Sequence, residues 1–100
     1  MTRFKVRIGS DAEAEFTQAF NWYKHRSHLA ADGFRLAVFK AIDGLESSAA
    51  MWPQNEDGIS FVVLDRYPYT IFFDLTDNQA VVLAIAHHRC RPGYWRSRSI

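Results

Sequence analysis

The sequence predicts one α+β domain over residues 1–100, in which a helical hairpin packs on a small, mainly antiparallel sheet in the order β-α-α-β-β-β. In the first half of the chain, apolar residues recur at three- and four-residue spacing, which favours helices. In the second half, β-branched and aromatic runs alternate with turn residues, which favours strands. A chain of 100 residues, 48% of them hydrophobic, suits a single core.

The first predicted element is a short strand. Apolar and basic residues alternate from Phe4 to Ile8, which is the period-two pattern of a half-buried strand with a positive outer face. Gly9 ends this run. We expect the strand to pair with one of the last three strands of the chain.

The first helix is predicted to begin at a capping box. In this motif the Ser10 hydroxyl and the Glu13 carboxylate each satisfy a backbone amide at the start of the helix. The helix is expected to run to about His25. Its apolar stripe consists of Ala12, Phe16, Ala19, Phe20 and Tyr23.

A second helix follows an interruption of the pattern at residues 26–28 and closes at Ser47-Ser48. The two helices form an antiparallel hairpin because the break between them is short. Gly33 and Gly44 are expected near the helix ends, since glycine costs about 1 kcal/mol in a helix interior. The second stripe consists of Phe34, Ala37, Val38, Ala41, Ile42 and Leu45.

The rest of the chain is a polar loop followed by three strands. Residues 52–58 contain Pro and Gly and show no periodicity, so they are predicted to form a surface loop. Strands are predicted at residues 59–64, 69–75 and 80–86, as an antiparallel meander. The nearly continuous apolar run in the last of them indicates a strand covered on both faces.

The formal net charge of +1 hides an uneven distribution along the chain. Residues 1–10 and 78–100 together hold seven cations and no acid, whereas residues 11–77 hold five cations and all eleven acids. If the first strand lies beside the later ones, the two ends form one basic surface that suits a nucleic acid or an acidic protein segment. The alternative is that these cations are simply solvated.

The sequence offers no specific catalytic or cofactor motif. It contains no Gly-rich phosphate loop, no His-Glu-x-x-His and no Gly-x-Ser-x-Gly, so no cofactor is predicted. His25 and His28 have helical spacing, but no third ligand completes a metal site. His87 and His88 are adjacent on a predicted strand, so their side chains should face opposite ways and cannot share an ion. No metal site is therefore predicted.

Cysteine content and hydropathy predict a cytoplasmic protein without membrane contact. Cys90 is the single cysteine and cannot form a disulfide within the chain, which fits a reducing compartment. No secretory signal is expected, because basic residues interrupt the apolar residues at the start. No apolar run reaches the roughly 18 residues that span a bilayer.

The densest cluster of candidate binding residues follows the last strand. Arginine forks bind phosphates or carboxylates, and Tyr94 and Trp95 offer flat surfaces to a base or an apolar anchor. Trp95 can instead pack back against the sheet as part of the core. The candidate target-binding residues are Arg89, Arg91, Tyr94, Trp95, Arg96 and Arg98.

Phosphodiester cleavage would need a general base, a general acid and a cation. His88 and Tyr94 could transfer protons, and Arg66 or Arg89 could stabilise the transition state. Any basic tail with a His and a Tyr would meet these requirements, and no lysine follows Lys40. The pattern is permissive and does not by itself indicate an enzyme.

Two motifs carry a resemblance to a known family. An arginine followed by Tyr-Pro-Tyr occupies residues 66–69, and an apolar strand ends in Ala-His-His-Arg-Cys-Arg-Pro-Gly-Tyr-Trp at residues 86–95. With these motifs the chain resembles the RelE/ParE toxin superfamily, and most closely its ParE branch. Over the earlier residues the likeness is one of pattern: a basic strand, two helices and a polar loop.

The resemblance implies the toxin of a type II toxin–antitoxin pair. Such a toxin forms a hetero-oligomer with a small antitoxin, whose acidic, disordered tail wraps the helical hairpin and the sheet. ParE-like members poison DNA gyrase, whereas RelE-like members cut mRNA in the ribosome, commonly with lysines, and no lysine follows Lys40 in this chain. Gyrase inhibition without catalysis, through residues such as Arg89 and Arg91, is therefore the leading prediction. A ribosome-dependent mRNA endonuclease and a decayed toxin that only binds its antitoxin are the alternatives.

Overall fold

A four-stranded mixed sheet organises the protein, for which a computed structural model describes residues 3–98. The strands are β1 (Lys5–Ile8), β2 (Ser60–Val63), β3 (Tyr69–Thr76) and β4 (Gln79–His87). Their order in the sheet is β1-β4-β3-β2, with β1 parallel to β4 and the other pairs antiparallel. The predicted meander and the pairing of the first strand with a later one are both confirmed.

The helical hairpin consists of α1 (Ser10–Lys24) and α2 (His28–Ser48), and a short 3-10 turn, Ala49–Met51, follows it. The predicted α+β class and element order are confirmed. Among residues 3–98, no helix is both long enough and apolar enough to cross a membrane.

Both faces of the sheet are covered, as the apolar run of β4 predicts. The main core lies between the hairpin and the sheet, and its most deeply buried large side chains are Phe34, Val38, Leu45, Ile71 and Phe73. A smaller cluster of Val81, Leu83, Ala84 and Trp95 involves the other set of β4 residues. The register shifts between Phe72 and Phe73, which pair with Ala84 and Val82, so Leu83 is the extra residue of a bulge. The residues of β4 are therefore divided between the two cores.

The predicted capping box is wrong, although α1 does begin at Ser10. Gly9 is the N-cap residue, and no side chain caps this helix. The Gly9 amide donates to the Val82 carbonyl at 2.9 Å, which continues the parallel ladder and places Ser10 inside the first turn. The cap occurs instead at α2, where the Ser27 hydroxyl accepts from the Ala30 amide at 3.2 Å.

Gly33 lies inside α2 rather than near its end, contrary to expectation. The Tyr67 hydroxyl packs on this position and donates to the Ala30 carbonyl at 3.1 Å. A Cβ at residue 33 would overlap that hydroxyl. The close approach of the β2–β3 turn to α2 therefore requires glycine here.

Candidate functional site

The C-terminal tail, defined here as residues 88–98, folds back on the sheet through consecutive turns. After β4 ends at His87, the Cys90 amide donates to the His87 carbonyl, and further turn bonds follow as far as Arg98. Gly93 has φ +78°, a backbone conformation that favours glycine. These turns bring the end of the tail beside the middle of β4.

Trp95 anchors the tail in the smaller core. Its side chain is only 3% exposed and its ring stacks on Phe72 at a centroid distance of 4.5 Å. From the sequence, Trp95 is predicted to bind the target, with packing in the core as the alternative. In the structure Trp95 occupies the core, and Tyr94 is partly buried beside it.

Glu15 on α1 holds the tail through a set of contacts that we call the Glu15 clasp, formed by Glu15, Tyr94 and Arg98. The Tyr94 hydroxyl donates to Glu15 Oε2, and the Arg98 guanidinium donates to both carboxylate oxygens, at 2.9 and 3.0 Å. Glu15 Oε1 also accepts from the Ile85 amide at 3.0 Å, and Arg98 Nη1 donates to the Leu83 carbonyl at 2.9 Å. The clasp satisfies backbone groups of β4 beyond Val82, where its pairing with β1 ends.

The clasp raises the pKa values of Tyr94 and Arg98. Burial, followed by the hydrogen bond to Glu15, raises the pKa of Tyr94 well above its usual value near 10. The hydrogen bond to Glu15 raises the pKa of Arg98, although burial opposes this effect. Tyr94 therefore stays neutral and hydrogen-bonded at physiological pH.

The cations of the tail fall into two groups. Arg96 pairs with Asp57 at 2.8 Å. Arg98 pairs with Glu15, and its Nε lies 3.6 Å from Asp11 Oδ2. Arg89 and Arg91 are exposed, and neither has an ion-pair partner within the described part of the chain. These two arginines are the exposed and unpaired members of the predicted binding set.

The exposed Arg89 and Arg91 do not lie beside the basic residues of β1, although Arg98, at the end of the tail, lines a groove with Arg7. Arg7 pairs in register with Val81, near the start of β4, whereas Arg89 and Arg91 follow the other end of that strand. The six steps along the strand from Val81 to His87 span about 20 Å. Pairing of β1 with β4 is as expected, but it separates these cations because β1 covers only the first part of β4.

The four residues considered for phosphodiester cleavage do not line one common cleft. Tyr94 lines two: it shares the cleft between β3 and the tail with His88, and the neighbouring groove beside α1 with Arg89. Arg66 is exposed in the β2–β3 turn. His88 Nε2 lies 3.0 Å from the Thr70 hydroxyl. The Tyr94 hydroxyl is directed at Glu15.

The two adjacent histidines face opposite sides of the sheet, as expected. His87 is the last residue of β4, and His88 lies just beyond it in the tail. The His87 ring packs edge-on against Tyr69, with 5.0 Å between the ring centroids, whereas His88 Nε2 lies beside the Thr70 hydroxyl. Tyr69 and Thr70 are consecutive residues of β3, so their side chains lie on opposite faces of the sheet.

Comparison with known proteins identifies the family of this fold. A family model described as the ParE toxin of the type II toxin–antitoxin system parDE matches residues 6–92. The chain belongs to the ParE toxin family. The predicted RelE/ParE resemblance, and its ParE branch, are thereby confirmed.

A solved structure carries the same fold. A chain described as "Chromosomal ParDE TA system from P. aeruginosa" superposes with a TM-score of 0.75 at 16% identity, covering 85% of this ParE-family chain and 96% of that chain. A search of curated proteins finds no match.

Glu15 is the site residue that sequence analysis missed. On the helical pattern it is one of several polar residues off the apolar stripe, with nothing to separate it from its neighbours. Its partners lie 70 to 83 residues further along the chain. The family match ends at residue 92, before Tyr94 and Arg98, so the clasp lies partly outside it.

Proposed function

We propose that this ParE-family toxin inhibits DNA gyrase without catalysis, through the exposed cations of its C-terminal tail. The observation that carries the proposal is that Arg89 and Arg91 are exposed and unpaired among residues 3–98, on a segment that Trp95 and the Glu15 clasp hold in place. A tail ordered in advance loses little conformational entropy when it binds. Family membership supports the toxin function.

The alternative function, ribosome-dependent mRNA cleavage, has less support from the geometry. A general acid must reach the leaving oxygen of the substrate. The Tyr94 hydroxyl instead donates to Glu15, and the raised pKa of Tyr94 reflects its burial and that hydrogen bond. His88 is bonded to Thr70, and Arg66 is not among the residues that line the cleft with it.

We propose that the cognate antitoxin covers the helical hairpin. Large apolar side chains are exposed there: Leu29 is 85% exposed and Leu36 is 60% exposed. Because they are seven residues apart on α2, they share one helix face and suit an apolar stripe on a partner segment. Trp22 on α1 and Phe39 on α2 are exposed as well.

The acidic part of the antitoxin would contact the unpaired arginines, as charge complementarity favours. Binding is therefore expected to combine an apolar contact on the hairpin with an electrostatic contact on the tail. Added salt should weaken the complex without abolishing it, because screening acts only on the electrostatic part.

A gyrase cleavage assay tests the proposed function. Purified toxin, gyrase, ATP and plasmid are incubated, and linear DNA is measured after detergent and protease treatment. We expect linear DNA to accumulate with toxin dose, and to decrease when antitoxin is added. Primer extension on translated mRNA is run with the same preparation. Codon-positioned cuts without trapped gyrase would replace the proposal with the nuclease alternative, and a folded protein inactive in both assays would support the decayed toxin.

A further inference from the structure

A cleft beside the tail has the features of a ligand site. Its volume is about 330 Å³, at the lower end of the range for small-molecule pockets. It lies between β3 and the tail, and Asn55 of the loop before β2 also lines it. We call it the tail cleft; the residues used below are Asn55, Phe72, His88, Arg91 and Pro92.

The tail cleft offers hydrogen-bond donors and positive charge. Among residues 3–98, no carboxylate lines it. Arg91 contributes a guanidinium with no ion-pair partner among these residues.

Asn55 is also left as a donor. Its side-chain oxygen already accepts from the Asp57 and Ile59 amides, at 2.9 and 3.0 Å. The two amide hydrogens on its nitrogen are the remaining capacity of this side chain. Anions are therefore the ligands that this set of groups favours.

The tail cleft also has a flat apolar wall. The half-buried Phe72 ring, backed by Trp95 at 4.5 Å, and the Pro92 ring belong to its lining. Aromatic side chains that stack on bases, next to cations that bind the backbone, are the usual means of binding single-stranded nucleic acid. A lone carboxylate from a protein partner would use the cations and leave this wall and much of the volume unfilled.

We propose that the tail cleft binds an unpaired nucleotide of DNA or RNA, with its base against Phe72 and Pro92 and its phosphate at Arg91. This inference deepens the proposed gyrase inhibition and rests on it for its biological setting, because it assigns nucleic acid rather than the gyrase protein to this part of the tail. No bond is broken in the site.

Fluorescence anisotropy with labelled 12-nucleotide strands tests the proposal on the intact protein. We expect a single strand to bind more tightly than a duplex of the same sequence, because only an unpaired base can enter the cleft. Parallel titrations with DNA and RNA strands distinguish the two sources of the nucleotide. Binding of either one supports the site, and equal or tighter binding of the duplex contradicts it.

Two matched substitutions separate the site from general charge effects. Arg91→Gln should weaken single-strand binding about tenfold and reduce the salt slope by about one unit, as loss of one phosphate contact does. Arg35→Gln removes the same charge from an exposed position on α2 and should leave the affinity within about twofold. Equal losses in both variants would overturn the proposal, because they indicate a nonspecific electrostatic effect.

Imidazole NMR signals report directly on the cleft. Thymidine monophosphate should shift the ring signals of His88, which lies beside Thr70 in the cleft, more than those of His25 and His28 on the hairpin. A short poly-glutamate peptide serves as the competitor. If the peptide shifts these signals and the nucleotide does not, the cleft binds a protein carboxylate and the proposal is wrong.

These binding experiments contain no gyrase, so the two proposals can fail separately. Nucleotide binding without trapped cleavage complexes would leave the cleft assignment standing and contradict gyrase inhibition. Trapping that depends on Arg89 and Arg91, together with no nucleotide binding, would contradict the cleft assignment alone.

Discussion

Glu15 on α1 binds the C-terminal tail through several hydrogen bonds that the sequence pattern does not predict. One carboxylate accepts from a phenol, a guanidinium and a backbone amide, and it is about four-fifths buried with its ion-pair partner Arg98. Such a group stabilises the fold because every oxygen lone pair that it withdraws from water gains a donor. Removing its charge should therefore cost more than removing an exposed carboxylate.

Glu15→Gln should lower the free energy of unfolding by about 2 kcal/mol, since it weakens charge-assisted hydrogen bonds from Tyr94 and Arg98. Urea unfolding monitored by circular dichroism measures the change. Glu13→Gln on the exposed face of the same helix is the control and should cost less than about 1 kcal/mol. Equal costs for the two variants would show that the clasp adds nothing to stability.

Two glycines of α2 should respond in opposite directions to substitution by alanine. Gly33→Ala should destabilise the protein by about 1–3 kcal/mol, because its Cβ would overlap the Tyr67 hydroxyl. Gly44→Ala should stabilise it by about 0.5–1 kcal/mol, since a Cβ there meets only Ser48 Oγ at 4.0 Å and helix propensity improves. Thermal unfolding of both variants checks the pair. A stabilised Gly33→Ala protein would contradict the packing described here.

At the scale of elements, the two helices begin in different ways. The Gly9 amide that precedes α1 is bonded within the sheet, whereas α2 starts free of the sheet and needs the Ser27 side chain. Strand pairing therefore uses the amide of the N-cap residue at α1, whereas at α2 a side chain accepts from an amide of the first turn.

Ser27→Ala should cost about 1 kcal/mol of stability, the usual value for loss of an N-cap hydrogen bond. Ser10→Ala should change stability by less than about 0.5 kcal/mol, because the Ser10 hydroxyl makes no cap bond. Chemical denaturation of the two variants gives the comparison. A larger loss at Ser10 than at Ser27 would restore the capping box that the sequence pattern suggests.

The helices and strands could be predicted because the spacing of apolar residues along the chain reflects which positions are buried. Strands predicted at residues 59–64, 69–75 and 80–86 occur at Ser60–Val63, Tyr69–Thr76 and Gln79–His87. The predicted close of the second helix at Ser48 also holds. Periodicity does not predict which distant elements touch each other. Gly33 leaves room for a tyrosine of the β2–β3 turn, and Glu15 binds a tail at the other end of the chain.

At the scale of the whole molecule, the fold changes the meaning of the charge pattern. Seven cations near the two ends of the sequence suggested one basic surface. In the structure Arg3, Arg96 and Arg98 are paired with acids from the middle of the chain, which are Glu46, Asp57, Asp11 and Glu15. Ion pairs formed on folding thus offset part of the uneven charge distribution. Within the described part of the tail, Arg89 and Arg91 are the arginines left unpaired.

The stability that Tyr94 contributes should fall at alkaline pH. Burial and the bond to Glu15 raise the folded-state pKa of Tyr94 above its unfolded value near 10, so its contribution to stability is complete below pH 10 and is lost as the pH rises through the folded pKa. The stability difference between the wild-type protein and Tyr94→Phe, measured by urea unfolding, should therefore shrink from pH 8 to pH 11. A difference that stays constant over this range would mean that the clasp does not perturb Tyr94.

The central claim is that the unpaired arginines of the held tail act on gyrase. Its most direct measurement is the yield of toxin-trapped, linearised plasmid as a function of toxin dose for two double variants of equal charge change. Arg89→Gln/Arg91→Gln, in the tail, should need at least about tenfold more toxin than the wild-type protein, as loss of a charged contact predicts. Arg35→Gln/Lys40→Gln, at exposed positions on α2, should match the wild-type protein within about twofold. Unchanged trapping by the tail variant, with folding confirmed by circular dichroism, would contradict the account.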